Sequence, residues 1–319
     1  MKTIQISTES ITIKTNWNEL DRHQLLALSN LSLKRLSHKE TAIVALVYLM
    51  GFKVRKIREK VVGGVPCFYL RSAKGIDHLV STVDLLFLIK LMDFLFLITE
   101  EEEKNEGNGE YNSTRSRYQW QSRLFRQLFP KIWVSSRLLS KKLLYGPADG
   151  LTNIKLSEFI QCETYYSDFL KTKDESKANL LIATLYRPER EGYDPANVEH
   201  AGDRREPLND YLVKKRVKLV NRLKPHEKQA ILFYYEGCKL YLKGKFPNVF
   251  EEGEHSDNKS ERANKIGVFE GYIKLVASLA DNEAPKIEAW MDTQLYAVLI
   301  TMENERIEQK RLKELYNKK

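Results

Sequence analysis

The sequence is poor in the residues that punctuate β-rich folds, with 15 Gly and 9 Pro among 319 positions. Sandwiches need a turn signal about every 8–12 residues, so this scarcity argues against a sandwich or barrel and for helices. Cysteine is scarcer still. Cys67, Cys162 and Cys238 are odd in number and widely spaced, and each sits among apolar or aromatic neighbours. Without a CxxC or Cys/His pairing they read as buried free thiols, which excludes a disulfide framework and a zinc site. The six histidines are scattered, with no i, i+4 pair to grip a metal ion. Long apolar runs are missing too. Val83 to Ile98 is strongly apolar but short, and it contains Asp84, Lys90 and Asp93. A membrane span needs about 20 apolar residues, so a core helix or a helix at a partner interface is expected instead, and no membrane association. The first residues have no apolar core of a signal peptide, from which a cytoplasmic location is expected. No P-loop, dinucleotide fingerprint, HExxH, nucleophile elbow or EF-hand loop occurs. The expectation is a non-enzymatic protein with no catalytic residue, metal or cofactor.

Hydrophobic residues make up 42% and charged residues 30%, with 13 Phe, 16 Tyr and 4 Trp, which is ample material for a core. The length exceeds the usual single core, so two parts are expected. In the first, the alternation of ITIKT predicts a short strand, and the leucines between Asn18 and Leu33 predict a helix. Ser37 with Glu40 forms a capping box before the apolar run Ala42 to Met50, which Gly51 would stop. Two β-branched or aromatic runs around Gly63-Gly64 predict a hairpin, with Pro66 placed at a sheet edge. Residues 100–110 read EEEEKNEGNGE, a composition that predicts a solvated linker. Everything beyond it reads as helical. Helices are expected over Leu156 to Leu170, Asp174 to Tyr186, from Pro207, from Pro225 through Leu242, over Val268 to Ala280, and from Pro285 onward. The predicted fold is mainly α: a small α+β part with a hairpin over 1–98, an acidic linker over 99–112, and an all-α helical domain over 113–319 with a charged final helix.

The net charge of +9 is unevenly spread: +6 over 1–98, −5 over 99–112, +8 over 113–145, and zero over 146–319, where 29 basic residues meet 29 acidic ones. The +8 segment holds Arg115, Arg117, Arg123, Arg126, Lys131, Arg137, Lys141 and Lys142, interleaved with Tyr118, Trp120, Phe125, Phe129 and Trp133. Arginines for phosphates and aromatic faces for bases make it a candidate nucleic-acid site. Its spacing equally fits an amphipathic helix whose basic face docks on the acidic linker or on an acidic partner. A second basic run, Lys53 to Lys60, reads as a protected sheet edge.

Glu158 and Glu163 are five residues apart and so do not share a helix face. Asp203-Arg204-Arg205-Glu206 reads as a loop closed by its own salt bridges, with a phosphate contact through the two arginines as the alternative. Phe159, Tyr165, Tyr166 and Phe169, and likewise Phe233, Tyr234, Tyr235 and Tyr241, are core candidates. Phe246, Pro247, Val249 and Phe250 form an apolar loop, either tucked against the helices or offered to a protein partner.

LSEFIQCETYYSDFL (156–170), ATLYRP (183–188) and YYEGCKLYLKGKFPNVF (234–250), with a helix around Gly271 to Ala280, resemble as a set the helical tail-assembly-type proteins encoded in prophages and related injection particles. The resemblance implies a non-enzymatic assembly role, in which a helical tail or particle component is bound through the second part. It brings no catalytic residues, and it does not cover 1–98 or explain the basic segment.

Overall fold

The structure, a computed structural model, describes residues 2–6, 9–50, 58–71, 75, 77–103, 113–135, 141–250 and 268–317. It is mainly helical, with small sheets in its first part and helices after. The chain forms two compact units, Met1–Leu124 with Pro225–Gly237, and Phe125–Lys224 with Cys238–Lys319. The division expected at the acidic stretch falls instead after Leu124, and the first unit recruits a later piece of helix.

In the first unit, β1 (Lys2–Ile6) pairs antiparallel with β2 (Glu9–Ile13). Asp21 caps α1 (Arg22–Ser32) by accepting from the Gln24 N–H at 2.8 Å, and the Gln24 side chain accepts from the Asp21 N–H. Ser37 and Glu40 form the expected box at the start of α2 (His38–Leu49). Both devices satisfy N–H groups that a helix start leaves without partners. Gly51 lies outside the described residues. β3 (Arg58–Val62), β4 (Val65–Arg71) and β5 (Asp77–Ser81) form an antiparallel sheet in that order. The β3–β4 turn sits on Gly63 (φ 58°) and Gly64 (φ 81°), the left-handed pair that a two-residue hairpin demands. Pro66 is on the central strand, not an edge strand. Its position is tolerated because the β5 ladder begins one residue later, at Cys67.

The apolar stretch at 83–98 is not one helix. α3 (Thr82–Lys90), capped by Ser81, ends after nine residues, and a short turn at Asp93–Leu95 leads into β6 (Phe96–Glu103). β6 pairs with β7 (Ser113–Trp120), so the acidic residues from Glu100 to Glu103 belong to a strand and not to a linker. The register sets Glu101 opposite Arg115. The unit's core gathers round Trp17, whose indole N–H donates to the Phe94 carbonyl at 2.9 Å and whose ring meets Phe94 and Phe233.

The second unit is not wholly helical. β8 (Lys131–Ser135) and β9 (Lys141–Tyr145) form a two-stranded ribbon where a helix is predicted. Burial alternates along β8, with Ile132 and Val134 inward and Lys131, Trp133 and Ser135 outward, which is strand period and not helix period. The helices that follow in the chain are α4 (Leu156–Thr172), α5 (Glu175–Leu185, capped by Asp174), α6 (Asp210–Val220, capped by Asn209) and α7 (Pro225–Lys245), whose residues up to Gly237 belong to the first unit. Then come α8 (Pro247–Phe250), α9 (Val268–Leu279), α10 (Ala284–Asp292) and α11 (Leu295–Asn317). The final helix expected from Pro285 is broken at Thr293. That residue is extended, and its carbonyl accepts from the Leu156 N–H at 3.0 Å while the Leu295 N–H donates to Ile154. α11 buries Leu295, Val298, Leu299 and Met302, and its residues from 304 to 317 are exposed.

Candidate functional site

The second unit holds a buried cluster of four charged side chains that the sequence does not place together. Glu158 stands on the first turn of α4. Arg187 follows α5 and is fixed by two backbone hydrogen bonds with Tyr145, at 2.7 and 3.0 Å. Asp203 and Arg205 come from the polar loop between α5 and α6, which a bridge between Glu189 and Arg205 folds back on itself. Arg187 and Arg205 are wholly buried, and Glu158 and Asp203 nearly so.

The partners interleave. Arg187 Nη2 donates to Glu158 Oε1 at 2.8 Å and reaches Asp203 Oδ2 at 3.4 Å. Arg205 donates through Nε to Asp203 Oδ1 at 2.7 Å and through Nη2 to Glu158 Oε2 at 3.1 Å. Arg205 also donates to the carbonyls of Leu185 (3.0 Å) and Asn153 (3.2 Å), which ties the end of α5 to the turn before α4. Two carboxylates facing two guanidiniums cancel in charge, the condition under which ions can be kept out of water. Burial, then the neighbouring Arg205 charge, pull Arg187 below the usual guanidinium value, while Glu158 and Asp203 act against the fall. Its Nε and Nη1 are buried without a hydrogen-bond partner among the described residues.

Around this cluster the other ion pairs run outward. Arg204 pairs with Glu189 and lies over the Tyr145 ring, and Glu206 holds Arg216 of α6. The 203–206 loop is thus closed by Asp203–Arg205 alone, and its remaining charges tie it to other elements. Glu163 points elsewhere, to Lys239 at 2.8 Å, as its spacing from Glu158 predicts. A cleft of about 600 Å³ opens beside the cluster, lined by Glu158, Asp203, Lys155, Arg190, His200 and Asp210 among others. Lys155 there is paired with Asp292, and Asp210 accepts from Gln161 at 2.6 Å. The cluster carboxylates are engaged by guanidiniums, so neither is placed as a general base. Cys162 and Cys238 are buried free thiols. Burial, then Glu158 and Glu163, push the Cys162 thiol well up, away from the nucleophilic thiolate. Among the described residues, no group of three or more His, Cys, Asp or Glu could hold a metal ion, and no helix is long and apolar enough to cross a membrane.

The residues singled out from sequence are dispersed. Phe246 is 4% exposed and packs edge-on against Tyr296. Val249 and Phe250 line a small apolar cavity of about 150 Å³ with α4, α9 and α11, and the Asn248 and Val249 N–H groups donate to the Glu303 carboxylate. The 246–250 loop is therefore tucked in. Pro247 alone of the four is exposed, and Val249 and Phe250 are half-buried. The basic segment is not a helix and is shared between units. Arg115 and Arg117 lie on β7, Trp120 packs on Phe96 and Phe233, and Arg123 is exposed on the first unit. Arg126, Lys131, Lys141 and Lys142 are exposed on the second unit, and Arg137 lies outside the described residues. Glu158, Asp203 and Arg205 were noted in the sequence but not as one cluster, and the missed member, Arg187, had only a faint signal within the run ATLYRP.

No protein-family model matches the chain, and no curated protein or solved structure matches it either.

Proposed function

We propose that the protein is a non-enzymatic interaction protein of the tail-assembly type found in phages and prophages, and that it binds a protein partner through an apolar helix face. One observation carries this reading. α3 presents Val83, Leu86 and Phe87 at 70, 46 and 61% exposure. Their i, i+3, i+4 spacing makes one contiguous stripe. Single exposed apolar residues are common, but a stripe containing a phenylalanine marks an interface for another apolar surface. Leu85 and Leu88 on the opposite face anchor the helix in its own unit, so the exposed stripe is not a helix turned inside out.

The second unit supports the non-catalytic part of the reading. Its most enzyme-like polar groups, Glu158 and Asp203, are engaged by two arginines. The pieces carrying the family resemblance occupy α4, the end of α5 and the stretch from α7 to α8, where they serve as core and clamp. The contact surface thus moves from the 246–250 loop to α3.

The test is affinity purification from the native host, with and without nuclease, using the natural chain and a Leu86→Gln/Phe87→Gln variant. A helical tail or particle protein retained by the natural chain in both samples, and lost by the variant, is expected. Truncating an interface anchor of this kind costs about 2 kcal/mol or more. A partner retained equally by the variant would show that α3 is not the contact.

A further inference from the structure

α6 carries Tyr211, Lys215 and Lys218 along one line, and Arg222 continues it just beyond the end of the helix. Tyr211, Lys215, Lys218 and Arg222 follow one another at i, i+4, i+7 and i+11, within a narrow arc of the helix and the turn after it. All four are exposed. Lys215 Nζ lies 4.3 Å from the Tyr211 ring centroid. Beside this line a groove of about 720 Å³ opens, lined by Lys215, Lys218 and Arg222 from one side and Lys142 of β9 from the other. Leu219 adds apolar surface, and Arg222 is oriented by a 2.6 Å hydrogen bond from Nη1 to the Ser135 carbonyl.

The charge balance of this groove is one-sided. Its one lining carboxylate among the described residues, Glu206, is held by Arg216, which is buried and also donates to the Ala183 carbonyl. That leaves Lys142, Lys215, Lys218 and Arg222 along one groove with no other acid in its lining among the described residues. Like charges brought together repel, so the arrangement stores a cost that a polyanion would remove. We infer that this groove holds the phosphate backbone of single-stranded nucleic acid. The run from Lys215 to Arg222, about 10 Å at the helical rise, suits neighbouring phosphates. A positively charged groove that tracks the backbone is the recurring equipment for such a strand.

The inference is independent of the α3 reading. It also differs from a site on the 113–145 segment, of which Lys142 alone lines this groove.

The experiment is fluorescence anisotropy of the full chain with a labelled oligothymidylate longer than the groove, titrated at 50 and 200 mM salt. Four phosphate contacts predict a slope of about −2.8 in log affinity against log salt, a loss of roughly 50-fold over that range. In a Lys215→Gln/Lys218→Gln variant, the slope should fall to about −1.4 and the loss to roughly 7-fold. Both side chains are exposed, so the variant should keep its circular dichroism spectrum and melting temperature. Should it not, Lys142→Gln gives the same reading one charge at a time, as a slope reduced by about 0.7. Leu86→Gln/Phe87→Gln should bind the oligomer unchanged. No binding by the natural chain, or equal slopes in natural chain and variants, overturns the inference. So would binding of polyglutamate without binding of the oligomer, which would assign the groove to an acidic protein.

Discussion

Arg187 and Arg205 show what a single charged residue can do once it is out of water. Each is wholly buried, and each depends on the carboxylates of Glu158 and Asp203. A buried ion cluster adds little net stability when intact, but loss of one member strands the others in a low-dielectric interior. Glu158→Gln keeps the shape and removes the charge that both arginines share. We expect it to lower the stability of the second unit by about 3–5 kcal/mol, read as a lower midpoint in urea unfolding. An unchanged midpoint would mean that water or another group takes over the pairing. Legibility at this scale was uneven. The Ser37–Glu40 box is local and was readable, because both partners lie within one turn. The Glu158–Arg187–Asp203–Arg205 cluster draws on three segments up to 47 residues apart, and no local pattern marks it.

At the scale of elements, α7 turns on a glycine. Helix interiors disfavour Gly by about 1 kcal/mol against Ala, so Gly237 needs a reason. A Cβ added there would overlap the backbone of Leu124, which crosses the helix at that point. The neighbouring contact fits: the Ser122 N–H donates to the Glu236 carboxylate at 3.1 Å. Gly237→Ala should therefore destabilise the first unit instead of gaining helix propensity, seen as a lower thermal midpoint. A rise in midpoint would show that the crossing can relax. The elements themselves were legible where apolar spacing and caps agreed, as in α2, α4, α5 and α7. They were misread at β7, β8 and β9. There Trp120, Leu124 and Leu128 suggested helical spacing, while pairing with β6 and between β8 and β9 decided for strands. Strand pairing depends on a partner, which a single segment does not reveal.

For the molecule as a whole, pH enters through His38, the first residue of α2. Its ring stacks on Tyr118 and meets Phe96 edge-on. Burial lowers its pKa below the usual 6.5, against the opposing pull of Asp93. The imidazole is thus held neutral in the fold, as suits a helix N-terminus, where positive charge is unfavourable. A depressed folded pKa means that the unfolded chain takes up the proton first as pH falls. The stabilising contribution is full above 6.5 and is lost as pH falls through the folded value. Thermal melts between pH 7.5 and 5 should show a falling midpoint in the natural chain and a smaller fall in His38→Phe. Equal falls in both would remove His38 from the account.

The sequence by itself determined the mainly α character, the helix starts at Ser37, Asp174 and Pro225, the Gly63-Gly64 hairpin and the burial of Cys162 and Cys238. Each follows from apolar periodicity, capping or a left-handed turn, all of which act within a few residues. Only the tertiary structure decided where the two units divide, that the acidic run begins as a strand, and that Phe246 is core. It also decided which charges are spent. The second half of the chain sums to zero, yet Glu158 and Asp203 are drawn into the buried cluster and Glu206 pairs with Arg216, while Lys215 and Lys218 of α6 stay exposed. Net charge is a sum over sequence, and binding depends on how those charges are distributed in space.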